Sequence, residues 1–454
     1  MNQAKLRFSE RISFGLYSFG TILSYYLIMS YLQLYMTDIG IAAEVIGVVF
    51  ISAKIWDAVN DPIFGVMVDK VHFKSGKYLP WLRVATVAIP IATILLFIVP
   101  ANASVQVKII WSAIAYVLWD TSYTLCDVPL NSLATVMTEN LTERNRLYSL
   151  AAFFVYLGGL LVAVLVPSMY PALGWGTTAI ILSVLSLIGM IPLHFKAKER
   201  YAGGAAQDEV PIGDILKSLV QNKYLLIFTG ASIVGSVTNF ASTLNGYFAI
   251  HCLGSESWMT PLALASAVPV LFVSLLVPKL LTKIDKFTAY VATRIITICI
   301  DGLIYLMGYE NPTVLLAFIA VKNVFAAVWG VTAVMFIADC VEYGQFRLNQ
   351  RNQGIAFATK AFTNKIIVAL TGSVAMFGLA AYGFQEGRGV VQTAATVQGI
   401  WNLYALWPIF GSVGAVILLV CFYKLRDHDV KLMIAANNGE MTKEEAEKQF
   451  TKKI

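Results

Sequence analysis

Long apolar segments alternate with short polar ones along almost the whole chain. Twelve of these segments approach or exceed the roughly 20 mainly apolar residues that a membrane-spanning helix needs. They cover residues 12–37, 44–68, 80–100, 107–136, 147–170, 176–194, 224–250, 259–281, 287–309, 312–338, 354–384 and 396–423. The pattern predicts an all-α membrane protein with twelve transmembrane helices.

The longest polar interruption divides these segments six and six. It covers residues 196–223 and is charged and rich in Gly and Ala. We therefore expect two six-helix bundles, 1–195 and 224–424, joined by a cytoplasmic linker, 196–223. A polar cytoplasmic tail, 425–454, is expected to form a short surface helix or to be disordered. Division into two such halves is typical of transporters.

Composition and charge agree with a membrane protein. The chain is 58% hydrophobic and only 13% charged, against about 25% charged residues in soluble domains. Lys and Arg concentrate in alternate loops and in both tails, whereas the other loops hold only Lys108 and Arg388. The positive-inside rule therefore predicts that both termini are cytoplasmic, in a cell membrane. The net charge of +6 suits anionic inner-leaflet lipid, so we expect no nucleic-acid partner.

Several ionisable residues interrupt the apolar segments, although each costs at least about 2.5–3.5 kcal/mol at the bilayer centre. The second predicted helix carries Lys54, Asp57 and Asp61 on one face, because they are one turn apart. Further candidates of this kind lie in or at the ends of the fourth, ninth, tenth and eleventh helices: Asp120, Asp127, Asp301, Lys322, Asp339, Glu342, Lys360 and Lys365. An excess of carboxylates at low dielectric favours a bound cation, either Na⁺ or a proton.

A static ion-pair network is the alternative reading of these charges. For Asp57, Asp61 and Asp127 the cation-binding role is preferred. Roles for Asp120, Asp301, Lys322 and Lys360 stay open between functional and structural.

Four stretches resemble one known family. They are AKIWDAVNDPIFGVMVDK in the second predicted helix, YTLCDVPLNSL in the fourth, DCVEYGQF at the cytoplasmic end of the tenth and GIAFATKAFTNK in the eleventh. Together they are similar to the glycoside–pentoside–hexuronide:cation symporters of the major facilitator superfamily, whose best-known member is the melibiose permease. The resemblance runs from the first predicted helix to the eleventh.

The resemblance implies roles for individual residues. It implies that Asp57 and Asp61 are cation ligands and that Thr124 and Asp127 line the cation site. It also implies that Lys365 neutralises these acids and that Lys54 replaces an Arg usual in the family. Candidate substrate-binding residues are Asp127, Tyr123, Asn131, Trp119, Tyr26 and Lys365. Further aromatic candidates by depth are Tyr25, Trp56 and Trp329.

Three positions depart from the pattern of galactoside-transporting members: Ile22, Asn131 and Ala152. The expected substrate is therefore not a simple galactoside. Two further stretches resemble cytoplasmic gates. Gly65 and Asp69 end the second helix, whereas Asp339 and Glu342 end the tenth and are expected to pair with inner-loop Lys or Arg.

These observations predict a symporter that imports a sugar or glycoside with Na⁺ or H⁺ by alternating access, acting as a monomer. The rival is a proton-coupled sugar or sugar-acid transporter of the same fold. A membrane-embedded enzyme is disfavoured because the sequence contains no HExxH, no GxSxG and no cluster of metal ligands. No cofactor is expected apart from the coupling ion. A channel or sensor that only binds sugar is the third class, and uphill accumulation driven by an ion gradient separates a symporter from it.

Overall fold

A computed structural model describes residues 6–71, 73, 75–201, 212–348 and 353–451. Within these ranges the chain is helical, with a single isolated β-bridge between Phe73 and Gly76, and the predicted all-α fold is confirmed. The chain forms two compact units. The first contains Met1–Glu209 and Gly383–Gln392, and the second contains Val210–Tyr382 and Thr393–Ile454. Residues 202–211 of the predicted linker and 452–454 of the predicted tail lie outside the described residues.

The first unit contains six long helices, which match the first six predicted segments. They are α1 (Phe8–Asp38), α2 (Ala43–Lys70), α3 (Leu79–Phe97), α4 (Val105–Met137), α5 (Leu141–Leu173) and α6 (Trp175–Lys196). Helix α1 packs against α5 and α6, α3 against α4 and α6, and α2 against α4. The approach of α1 to α6 requires Gly20, because a Cβ there would lie 2.5 Å from the Ser186 carbonyl oxygen.

A loop far along the sequence completes the first unit. In Gly383–Gln392, the backbone N–H of Gly387 donates to the Thr37 carbonyl oxygen at 2.9 Å. The Glu386 carboxylate accepts from the backbone N–H of Ala43 at 3.2 Å. Glu386 therefore places a negative charge at the N-terminus of α2, where the helix dipole is favourable for it.

The described residues of the second unit form thirteen α-helices of very different length. They are α7 (Ile212–Gln221), α8 (Lys223–Gly235), α9 (Phe240–Thr243), α10 (Asn245–His251), α11 (Met259–Ser274), α12 (Val277–Leu280), α13 (Lys286–Met307), α14 (Pro312–Leu348), α15 (Gln353–Ala381), α16 (Ala394–Trp401), α17 (Trp407–Phe422), α18 (Asp427–Asn437) and α19 (Lys443–Lys448). Helix α14 packs against α11 and α13, and α17 packs against α8 and α13.

Three predicted segments are not single α-helices in the structure. The 224–250 segment is divided into α8, a 3₁₀ turn at Ser236–Asn239, α9 and α10. The 259–281 segment is divided into α11 and α12. A π-helical turn, Asn402–Leu406, joins α16 to α17, next to Pro408, which has no N–H to donate to the carbonyl four residues earlier.

The tail is folded against the second unit. Its two helices, α18 and α19, bury Val430, Met433 and Ala446 in the same apolar cluster as Tyr224 and Phe336. The sequence predicted a short surface helix or disorder here, and the structure has two short helices that pack on the second unit. The tail has too few apolar positions to show a clear periodicity in the sequence, but enough to pack against the apolar cluster of the second unit.

Candidate functional site

Lys54 of α2 contacts two carboxylates, that of Asp57 on the same helix and that of Asp120 on α4. Its Nζ lies 3.1 Å from Asp120 Oδ1 and 3.4 Å from Asp57 Oδ2. Asp57 is 7% exposed and Asp120 is 4% exposed. Asp120, whose role the sequence left open, is thus an ion-pair partner of Lys54.

Thr124 lies one turn further along α4 and contacts two polar side chains of α2. Asn60 Nδ2 donates to Thr124 Oγ1 at 3.0 Å, and Thr124 Oγ1 lies 3.3 Å from Asp61 Oδ1. The same hydroxyl lies 3.1 Å from the Asp120 carbonyl oxygen. Carboxylate, hydroxyl and carbonyl oxygens are the ligands that hard cations prefer.

Asp127 continues the same face of α4, three residues after Thr124. Asn131 Nδ2 donates to Asp127 Oδ1 at 3.3 Å, and both side chains are exposed. Asp57 is close enough to Asp127 for electrostatic repulsion between the two carboxylates. Within the described residues no group of three His, Cys, Asp or Glu side chains is compact enough for a metal ion, so a cation at this face needs neutral oxygen ligands as well.

Four aromatic side chains cluster beside this acidic face. The ring centroids of Tyr25 and Tyr123 are 5.3 Å apart, those of Trp119 and Tyr123 are 5.3 Å apart, and those of Tyr25 and Tyr26 are 6.0 Å apart. The three tyrosines are half-buried. Trp119 is 1% exposed and donates its indole N–H to Ser24 Oγ at 3.0 Å. Trp119 is therefore enclosed and stacks on Tyr123, which argues against its predicted direct contact with a sugar.

The remaining aromatic candidates lie apart from this cluster. Trp56 is exposed and donates its indole N–H to Thr121 Oγ1 at 3.1 Å. Trp329 belongs to the second unit, where its ring stacks on the guanidinium of Arg294.

The charged candidate residues inside the second unit either pair with one another or lie half-buried. Lys322 Nζ lies 2.9 Å from Asp301 Oδ1 and so links α14 to α13. Lys360 and Lys365 are half-buried in α15. The pairing of Asp301 with Lys322 favours a structural role for both.

The predicted gating residues lie at helix ends. Asp339 is 2.7 Å from Lys286 Nζ, which also lies 2.8 Å from Asp427. Glu342 accepts a hydrogen bond from Asn437 Nδ2 of α18 at 3.1 Å. These contacts hold α13, α14 and the tail together in the second unit. Gly65 and Asp69 lie in the last turns of α2, where the structure describes only their backbone.

Sequence reasoning missed two polar residues. Asn60 is buried in α2 and bonds to Thr124; a polar side chain between two intramembrane acids was the available signal. Arg294 lies inside α13, eight residues after its first residue. Its position inside a predicted membrane span was the signal that could have identified it.

Comparisons with known proteins agree on one family. The model of the family described as MFS/sugar transport protein matches residues 13–427. The chain is 27% identical over 444 residues to an isoprimeverose transporter of Lactiplantibacillus pentosus, covering 94% of this chain and 90% of that protein. It is 27% identical over 442 residues to the putative glycoside/cation symporter YagG of Escherichia coli (strain K12), covering 94% of each.

The fold has solved counterparts. The crystal structure of the nucleoside transporter NupG matches with a TM-score of 0.64 and 16% identity, over 92% of this chain and 99% of that one. The predicted major facilitator fold and the resemblance to the glycoside–cation symporters are thereby confirmed. The chain belongs to the MFS/sugar transport protein family and is a multi-pass membrane transporter, not an enzyme.

Proposed function

We propose that this transporter is a secondary active symporter that imports a sugar or glycoside together with a small cation, Na⁺ or H⁺. It acts by alternating access in a cell membrane, with both termini in the cytoplasm and as a monomer. The names of the relatives support the substrate class, since one is an isoprimeverose transporter and another a putative glycoside/cation symporter.

The observation that carries the proposal is the charge imbalance along the facing surfaces of α2 and α4. Among the described residues of these two surfaces, four carboxylates, Asp57, Asp61, Asp120 and Asp127, accompany one ammonium group, that of Lys54. Like charges at low dielectric repel strongly. A bound cation relieves this repulsion, and Asp61, Thr124 and the Asp120 carbonyl supply oxygen atoms close together for it.

The neighbouring tyrosines support a sugar site next to the cation. Tyr25, Tyr26 and Tyr123 offer half-buried rings and hydroxyl groups, and Tyr123 lies one helical turn before Asp127 on α4. Aromatic faces with polar edges suit an amphipathic ligand. In this proposal Asp127 and its partner Asn131 contact sugar hydroxyls, and Lys365 completes charge neutralisation as the family resemblance implies. The cation and the sugar then favour each other's binding through these shared groups.

Thermal unfolding of the purified protein with a panel of sugars, with and without Na⁺ at fixed pH, tests the proposal. At least one sugar is expected to raise the unfolding temperature, and Na⁺ is expected to increase that shift. Binding linkage requires the reciprocal effect of sugar on Na⁺ affinity to be equal. A shift that depends on pH but not on Na⁺ identifies the proton-coupled alternative.

Asp57→Asn is expected to remove the cation dependence. Glu44→Gln is the matched control, because Glu44 is an exposed carboxylate in the first turn of the same helix. If no sugar shifts the unfolding temperature, or if no cation or pH change alters the shift, the symport proposal is wrong.

A further inference from the structure

Arg294 is a buried cation in the membrane-spanning part of the second unit. It lies inside α13 and is 6% exposed. A charge at membrane depth is costly and calls for a partner or a function. The cation and sugar sites proposed above do not use it.

The guanidinium has neutral partners only. Nη1 donates to Ser412 Oγ at 3.2 Å, and Nη2 lies 3.5 Å from the Tyr290 hydroxyl. Cζ lies 3.5 Å from the centroid of the Trp329 ring, a cation–π contact. None of the ion pairs formed by described residues includes Arg294.

The nearest acid along the helix is already engaged. Asp301 is seven residues further along α13, about 10 Å at the rise of an α-helix. Its Oδ1 pairs with Lys322 Nζ at 2.9 Å. Among the ion pairs of the described residues, Asp301 pairs with Lys322 and not with Arg294.

Two N–H groups at this place have no acceptor among the described residues. Arg294 Nε and Trp329 Nε1 are both buried and without a hydrogen-bond partner. A buried donor without an acceptor costs about 1–3 kcal/mol, and more when it is charged. The backbone of Gly235 packs closely against the guanidinium, since a Cβ there would lie only 3.3 Å from Nη2.

We propose that Arg294 and Trp329, together with the hydroxyl groups of Ser412 and Tyr290, bind a small inorganic anion such as chloride within the second unit. A halide accepts hydrogen bonds from N–H and O–H groups at once, and the two hydroxyls can rotate to donate to it. A water molecule satisfies one or two donors but leaves the buried positive charge uncompensated. The proposed site uses none of the cation and sugar groups of α2 and α4, so the inference goes beyond the proposed function.

Thermal unfolding of the full-length protein at constant Na⁺ and pH, with chloride replacing gluconate, tests this site. Chloride is expected to raise the unfolding temperature in a saturable way, as a ligand of the folded state does. Bromide is expected to act similarly. Arg294→Met is expected to abolish the anion dependence. Trp329→Phe keeps the stacked ring but removes Nε1, and is expected to weaken the apparent chloride affinity several-fold.

Arg426→Met is the matched control. Arg426 also stacks on an aromatic ring of the second unit, with Cζ 3.6 Å from the Phe287 centroid, but its Nη1 donates to the backbone carbonyls of Tyr423 and Leu425. The control is expected to keep the full chloride response.

Three results overturn the proposal. The first is an equal unfolding temperature in chloride and in gluconate. The second is a chloride response of Trp329→Phe with unchanged apparent affinity. The third is an unfolding temperature that rises with added acidic sugars but not with halides. The Trp329→Phe variant keeps the test decisive if Arg294→Met does not fold. Because no transport is measured and sugar is absent from the halide titration, failure here leaves the symport proposal standing.

Discussion

Lys54 on α2 and Asp120 on α4 form a buried ion pair, with Nζ 3.1 Å from Oδ1, and Asp57 shares the same ammonium group at 3.4 Å. One cation thus holds two acids from different helices. It fixes the distance between the helix that carries Asp61 and the helix that carries Thr124 and Asp127.

We predict that Lys54→Met destabilises the protein strongly. Removing one partner of a buried pair leaves an uncompensated charge and typically costs about 3–5 kcal/mol. The double variant Lys54→Met/Asp120→Asn is expected to recover much of that loss. Chemical unfolding of the wild type, both single variants and the double variant measures the coupling. Additive single effects would show that the pair contributes little.

Thr124→Val is predicted to weaken activation by the coupling cation about tenfold. Valine has the same shape but removes the oxygen atom that lies between Asp61 and the Asp120 carbonyl. Thr124→Ser keeps that oxygen and is expected to retain near-wild-type activation. The measurement is the cation concentration, or the pH, that gives half-maximal uptake. Equal values for the valine and serine variants would exclude the Thr124 hydroxyl as a ligand.

Trp119→Phe is predicted to affect stability more than sugar recognition. The change removes the hydrogen bond to Ser24 Oγ, a loss of about 1 kcal/mol, but preserves the stacking on Tyr123. Tyr123→Leu, in contrast, removes a half-buried ring and is expected to raise the apparent KM for sugar at least several-fold. The two variants are compared by unfolding temperature and by the sugar dependence of uptake. A large KM increase in Trp119→Phe alone would reverse the assignment.

Glu386→Gln is predicted to loosen the start of α2. The carboxylate accepts the Ala43 N–H, and a negative charge at a helix N-terminus stabilises by about 0.3–1 kcal/mol. Hydrogen exchange in the first turn of α2 should therefore become about two- to fivefold faster. Glu310→Gln, an exposed acid in the loop between α13 and α14, is the control. Unchanged exchange at Ala43 would show that the loop contact does not persist in solution.

The sequence predicted the positions of the helices well because apolar length is a strong signal in a membrane protein. It did not predict the break between α8 and α10, because the 224–250 segment contains no proline and no charged residue, although Ser, Thr and Asn are frequent at the break. Nor did it predict which acid pairs with Lys54: Asp120 is 66 positions away, and only the packing of α2 on α4 brings it near.

For the polar residues, too, the sequence identified some and missed others. The acids of α2 and α4 stood out because charges are rare in spans. Trp119 was selected by residue type and depth, but whether a ring is open or enclosed depends on its neighbours. Arg294 was overlooked, and its partners Ser412 and Trp329 are distant from it in the sequence.

The most direct test of the central claim is sugar uptake into proteoliposomes driven by an imposed inward Na⁺ or H⁺ gradient. The substrate is the sugar identified by thermal stabilisation, and the proteins compared are the wild type, Asp61→Asn and the control Glu44→Gln. We predict uphill accumulation by the wild type and the control, and downhill equilibration at most by Asp61→Asn. Gradient-driven accumulation that persists in Asp61→Asn would contradict the assignment of the α2–α4 face as the cation site.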